Sequence, residues 1–478
     1  MVDFIIRNGL LLTMKGRGIG FIEDGAVAIE DGEIIAVGKS REVSLKVGSA
    51  EERFDASGMV VMPGLINGHV HTQGTIARGE CQDVPEIEWM IKTASPFSKH
   101  LTSELAVKSS ALGVLEGVKT GTTLFAEYGP YLDKLVNRVY LKFGVRAFIC
   151  SPISEVVGLT GQDPYQPYIL DRKRGRQMIG EALKLVDKWH GALNNRIRCC
   201  LGPVAADMLT RETLLEVKEL AEKRNLLMHI HLAQGGRESI QIKMRYNTTT
   251  VKFLDSIGFL TSRLIGAHCH GASKEEIQII ADRGVRMASC PTSIALIDGM
   301  VSPLYEYLKA GGRAAVLGTD QANGNNCLNM FREMKMAAIL NKVRHQDPTV
   351  LPAWKILRIA TIEGARCLGL DDIIGSIEVG KRADIIIINM KKPNLIPILF
   401  KPIRNIAFNL VYSANGSEVE MVMVDGKILV ENGKCITVDE EKILEEAQKA
   451  AEELAEKSAS DYIKANPLIL KYQLEKLI

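Results

Sequence analysis

The stretch MHIHLAQGG, residues 228–236, sets the reading of the chain. Met228, Ile230 and Leu232 interleave with His229 and His231, so both imidazoles leave one face of an extended segment, as a side-chain period of two requires. The run is short, lacks a helical apolar stripe and stops at Ala233-Gln234 before two glycines. A strand buried on both sides and ending in polar groups reads this way.

Seven further runs share that form. They are MVVMPGLINGHVH (59–71), TTLFAE (122–127), RAFICSP (146–152), RIRCCLGP (196–203), LIGAHCHG (264–271), VRMASCP (285–291) and RAAVLGTD (313–320). Helix-like segments such as SELAVKSSALGVLEGVKTG and RETLLEVKELAEKRN lie between them. Eight buried strands alternating with helices predict an α/β fold of the (β/α)8 TIM-barrel type over 59–370. The ends differ. Residues 1–58 and 371–436 alternate apolar and polar positions around Asp-Gly and Gly turns, which predicts one small β-sandwich built from both termini. Residues 437–478 form a helical tail broken at Asn466-Pro467, packed on the barrel or used in an oligomer contact.

Composition narrows the function classes. A chain of 478 residues with 46% apolar and 24% charged residues suits one large domain and a smaller one. A net charge of +2, with no basic stretch carrying interleaved aromatics, argues against nucleic acid. No apolar window approaches about 20 residues and the start reads as a strand, so neither a membrane span nor a signal peptide is expected. Nine scattered cysteines without a CxxC pair read as reduced thiols in a cytoplasmic protein.

Histidine is scarce and clustered. Of nine, six fall in three groups: His69 and His71, His229 and His231, His268 and His270. Each group ends a predicted strand, as does Asp320, and strand C-termini form the catalytic face of such barrels. A lone histidine at a strand end is usually a satisfied polar residue. The recurrence across separate runs of one pattern is what favours a metal site. Three imidazoles and one carboxylate from different strands would hold a divalent cation with an open position for water, whose pKa falls toward about 7.

PGLINGHVHT (63–72), HLAQ (231–234), AHCH (267–270), CPTS (290–293) and GTDQANGNN (318–326) together resemble the amidohydrolase superfamily. GSIEVGKRADIIII (375–388) and VDGKILVENG (424–433) extend the resemblance over nearly the whole chain. The branch it is most similar to contains guanine and methylthioadenosine/S-adenosylhomocysteine deaminases and triazine amino- and chlorohydrolases. The resemblance implies one metal, zinc or else iron, held by His69, His71, His231 and Asp320, with His268 beside the metal-bound water. TTLFAE ends without the lysine that binuclear branches use. Dimers or higher homo-oligomers are common in the family.

Three departures bear on the chemistry. Gln234 stands where deaminases of this branch carry a proton-shuttling glutamate. An amide cannot relay a proton at neutral pH. Val204 replaces an imidazole, and Ser98 stands where nucleoside deaminases place a ribose-binding acid. The expectation is a hydrolase attacking an electrophilic carbon of a small nitrogen-rich molecule and cleaving a C–N or C–halogen bond. Asp320 and His268 would move protons while Gln234 orients the substrate. Gln73, Trp89 and Glu127 are further candidates for substrate contact. The alternatives are a conventional aminohydrolase of a purine, pterin, triazine or adenosine-type ring, and a non-catalytic ligand- or metal-binding relative.

Overall fold

The structure is a computed structural model that describes residues 2–158 and 163–477. The N-terminal segment supplies β1 (Val2–Leu12), β2 (Phe21–Glu30), β3 (Glu33–Lys39), β4 (Ala50–Asp55) and β5 (Met59–Pro63). The parallel barrel follows as β6 (Leu65–His71), β7 (Thr122–Tyr128), β8 (Arg146–Ile153), β9 (Ile197–Pro203), β10 (Met228–Leu232), β11 (Leu264–His268), β12 (Arg286–Ser289), β13 (Ala315–Leu317) and β14 (Asp320–Gln321). The chain then returns to the first sheet with β15 (Ile385–Asn389), β16 (Val419–Val424), β17 (Lys427–Glu431) and β18 (Lys434–Cys435).

Neighbouring barrel strands pair in chain order from β6 to β13. The eighth strand is split at Gly318-Thr319. Its first half, β13, bonds β12, while its second half, β14, bonds β6 through Asp320 with Val70 and Gln321 with His71. The split closes the barrel and brings Asp320 against the first strand. Gly318 permits the approach: a Cβ there would lie 2.7 Å from the backbone N and O of His69.

The run 59–71 is two strands, not one. Met59–Pro63 pairs with β1 and antiparallel with β15, so it belongs to the terminal sheet, and the barrel strand begins at Leu65. A continuous apolar run carries no mark of the sheet to which each half belongs. The terminal sheet runs β18-β17-β16-β15-β5-β1-β2-β3, with β4 on β1, and it encloses a core that includes Phe4, Ile6, Val27, Ile385 and Met421. Arg146, at the base of β8, ties sheet to barrel: its guanidinium meets the buried Asp384 at 2.5 and 2.8 Å and the part-buried Asp425 at 3.2 Å.

The tail forms helices Glu440–Ala465 and Leu468–Leu474, separated at Asn466-Pro467. Ala447, Ala450 and Leu454 of the first pack with Trp89, Phe97 and Leu105. The tail therefore braces the long segment that follows β6. No helix among the described residues is long and apolar enough to cross a membrane.

Candidate metal centre and active site

His69 and His71 leave the end of β6, His231 comes from β10, His268 ends β11 and Asp320 opens β14. Potential ligand atoms of His69, His71 and His231 lie within 4.8 Å of one another, as do those of His69, His268 and Asp320. The Nε2 atoms of His71 and His69 are 3.2 Å apart, and an Asp320 oxygen lies 3.4 and 3.7 Å from them. His268 and Asp320 both adopt left-handed backbone, with φ of 72° and 60°. Such conformations cost energy in non-glycine residues and concentrate at functional sites.

Outer contacts orient the rings. His231 Nδ1 lies 2.7 Å from the Val204 carbonyl, which leaves Nε2 for the cluster. His69 Nδ1 lies 3.1 Å from His229 Nε2, so His229 supports a candidate ligand from behind. Neither ring nitrogen of the buried His268 makes a hydrogen bond within the protein. Burial holds His71 and His231 down to about 4, and pushes His69 and His268 in the same direction. Neutral imidazoles are the form that binds a metal. Burial raises the Asp320 carboxyl to about 6. A cluster of buried, mutually close, neutral imidazoles with one poorly solvated carboxylate fits a divalent cation, whose charge would offset that desolvation.

A cavity opens beside the cluster. Trp89, Gln234, His268 and Asp320 line it, with Glu86, Arg237, His270 and Asp298 also contributing. Gln234 is anchored by its backbone N–H, which donates to Glu238 at 2.7 Å. Glu238 is buried and its carboxyl is pushed up to about 8, first by burial and then by Asp207. Gln73 and Glu127 are not among the walls of this cavity. The Gln73 amide donates to the Tyr128 carbonyl at 3.1 Å. Glu127 turns both oxygens into the protein, accepting from the Thr72 N–H at 3.0 Å, the Thr72 hydroxyl at 2.6 Å and the Tyr140 hydroxyl. It holds the loop after His71 in place. Asn325 braces the other side, donating to the Thr319 carbonyl at 2.6 Å and to Glu333 at 2.8 Å. Cys269 and Cys290 are buried with thiol pKa values driven upward by burial, as suits packing residues. Sequence reasoning missed Glu86, Arg237 and Asp298, which carry no local motif.

The amidohydrolase family model matches residues 60–429. The chain belongs to the amidohydrolase family. Relatives of this amidohydrolase include a 5'-deoxyadenosine deaminase of Methanosarcina mazei, 37% identical over 95% of this chain and 99% of that protein. A 5-methylthioadenosine/S-adenosylhomocysteine deaminase of Desulforudis audaxviator is 36% identical, again over 95% of this chain and 99% of the relative. Among solved structures, an adenosine deaminase from Xanthomonas campestris with bound zinc superposes with a TM-score of 0.86 at 26% identity, covering 95% of this chain and 98% of that one. An atrazine chlorohydrolase from Arthrobacter aurescens complexed with zinc shares the fold at a TM-score of 0.82 and 23% identity, over 94% of this chain and all of that one.

Proposed function

We propose that this amidohydrolase uses one zinc ion per chain, held by His69, His71, His231 and Asp320, to hydrolyse a C–N or C–halogen bond in a small nitrogen-rich molecule. The observation that carries the reading is the convergence of these four side chains beside a cavity walled by Trp89, Gln234 and His268. Bound there, the cation would supply water acidic enough to give hydroxide at neutral pH. Iron accepts the same donors and is the other candidate.

The chain's own groups would divide the remaining work. Trp89 and Gln234 position the substrate, the first by its ring face and the second by an amide that both donates and accepts. A carboxylate oxygen of Asp320 takes the proton from the attacking water. The single N–H of the neutral His268 ring hydrogen-bonds the charge that develops on the reacting centre, or passes its proton to the departing group while the other ring nitrogen takes up the proton that Asp320 removed from water. A leaving group that needs no ring protonation, such as halide or an already protonated amine, suits a site with an amide at position 234. Nine free, buried cysteines accord with a cytoplasmic setting.

A second reading is a conventional deaminase acting on a 5'-deoxyadenosine-type nucleoside. The names of the relatives at 36–37% identity favour it. Ammonia release from zinc- and iron-loaded protein would separate the two, measured over guanine, adenosine derivatives, pterins and amino-triazines with His231→Ala as control. Ammonia released from an adenosine derivative and lost in the control supports the nucleoside deaminase. Halide or alkylamine release without ammonia supports the first reading. A fully metal-loaded protein that hydrolyses none of these classes overturns both.

A further inference from the structure

The cavity carries charge that hydrolysis itself does not require. Glu86, in the segment after β6, and Asp298, just past the helix Pro291–Ile297, both line it. Among the described residues that wall it, the only arginine or lysine is Arg237. That guanidinium is already committed to the buried Asp207, with which it forms a tight ion pair. Glu86 spends one oxygen on the Gly236 N–H at 2.9 Å. Asp298 has an imidazole for a neighbour, His270 Nε2 at 3.4 Å. Burial, and after it the nearby Asp298 charge, push the Glu86 carboxyl upward, and the Arg237 charge and the Gly236 and Arg237 N–H groups offset only part of that rise.

Independent polar groups point to a ligand in the same space. Trp89 Nε1 and His270 Nδ1 make no hydrogen bond within the protein, and His270 Nε2 has only the Asp298 carboxylate at 3.4 Å, although these residues are only 8% and 3% exposed. Buried donors are rarely left without a partner. Both residues line the cavity, so a bound molecule can satisfy them there. The indole face also offers a surface that attracts a cation.

We propose that the substrate carries a cationic nitrogen group, an amine or amidine, at the end remote from the reacting carbon, and that Glu86 and Asp298 hold it beside the ring of Trp89. This substrate class rests on the reading of the cavity as the substrate site. A cation in that position balances two carboxylates that otherwise repel. A neutral molecule of the same shape leaves them with only the partial relief that Arg237 gives Glu86, so the discrimination is one of charge.

Calorimetric titration of the zinc-loaded full-length protein with benzamidine and with benzamide tests the proposal, because the two probes share a shape and differ in charge. Benzamidine is expected to bind at least about ten-fold more tightly at pH 7.5, a difference within reach of one charge pair. Asp298→Asn and Glu86→Gln should each abolish that preference while benzamide binding stays unchanged. Glu86 also bonds the Gly236 backbone, so Asp298→Asn keeps the test valid should Glu86→Gln fail to fold. Equal affinity for the two probes, no binding of either at millimolar concentration, or a preference that survives Asp298→Asn would overturn the proposal. The titration involves no turnover. Its failure is therefore distinct from failure of the hydrolase reading, which the product assays would reveal.

Discussion

The Val204 carbonyl oxygen receives two groups of His231: the backbone N–H at 3.1 Å and ring Nδ1 at 2.7 Å. A carbonyl only accepts, so Nδ1 carries the proton and Nε2 presents its lone pair to the metal cluster. The side chain of residue 204 is apolar, yet its backbone fixes the tautomer of a candidate metal ligand.

His231→Ala removes that lone pair. Bound zinc, measured by elemental analysis after dialysis, should fall from about one per chain to well below a tenth of that. Hydrolysis should fall with it, while far-ultraviolet circular dichroism remains native. Full zinc retention would move the site away from His231.

His268 and Gln234 should separate in steady-state kinetics. His268→Asn is expected to lower kcat by about 10²–10⁴-fold, the usual effect of losing a positioned acid–base group. Gln234→Ala should act mainly through KM, because an amide orients the substrate without carrying a proton. A kcat loss at Gln234 as large as that at His268 would contradict this division.

The metal-free protein should lose stability in acid across a defined window. His71 and His231 are held down to about 4, first of all by burial, against 6.5 in the unfolded chain. The unfolded state therefore binds more protons between those values. Stability is complete above pH 6.5 and declines as pH falls toward 4, by on the order of 3 kcal/mol for each ring. Asp320, raised to about 6, acts in the opposite sense and offsets part of the loss. Melting temperatures of chelator-treated protein at pH 7.5, 6 and 5 would follow the decline. A flat profile would mean that the rings are hydrated.

Arg146→Ala strands the buried Asp384 between barrel and terminal sheet, while the part-buried Asp425 keeps its ion pair with Arg382. Breaking a buried pair from one side typically costs about 3–5 kcal/mol. Urea unfolding should show a loss of that size. The distance from the metal cluster, at the opposite ends of the strands, predicts unchanged zinc content in the fraction that stays folded.

Much of the candidate metal site was legible because its residues are scarce and fall at strand ends. HVH, HIH, AHCH and GTD each terminate a buried run, and a parallel barrel gathers all such ends on one face. Glu127 was legible as a polar residue at such an end, but its orientation was not. Thr72 and Tyr140 engage it from positions that no spacing rule connects. Glu86, Arg237 and Asp298 sit at or next to the ends of helices that follow three different strands, where which side chain meets the cavity depends on tertiary packing and not on a local period.

The sequence by itself determined the strand count, the barrel, the pairing of both termini in one sheet and the identity of the imidazoles and carboxylate that could bind a metal. Hydrophobic period and residue type are local properties, and these features follow from them. The tertiary structure alone decided that the first apolar run divides between two sheets, that Val204 sets the His231 tautomer, and that two acids face a cavity whose arginine is ion-paired with Asp207. Those features depend on which distant segments meet, and that is settled when the barrel closes and buries its polar groups together.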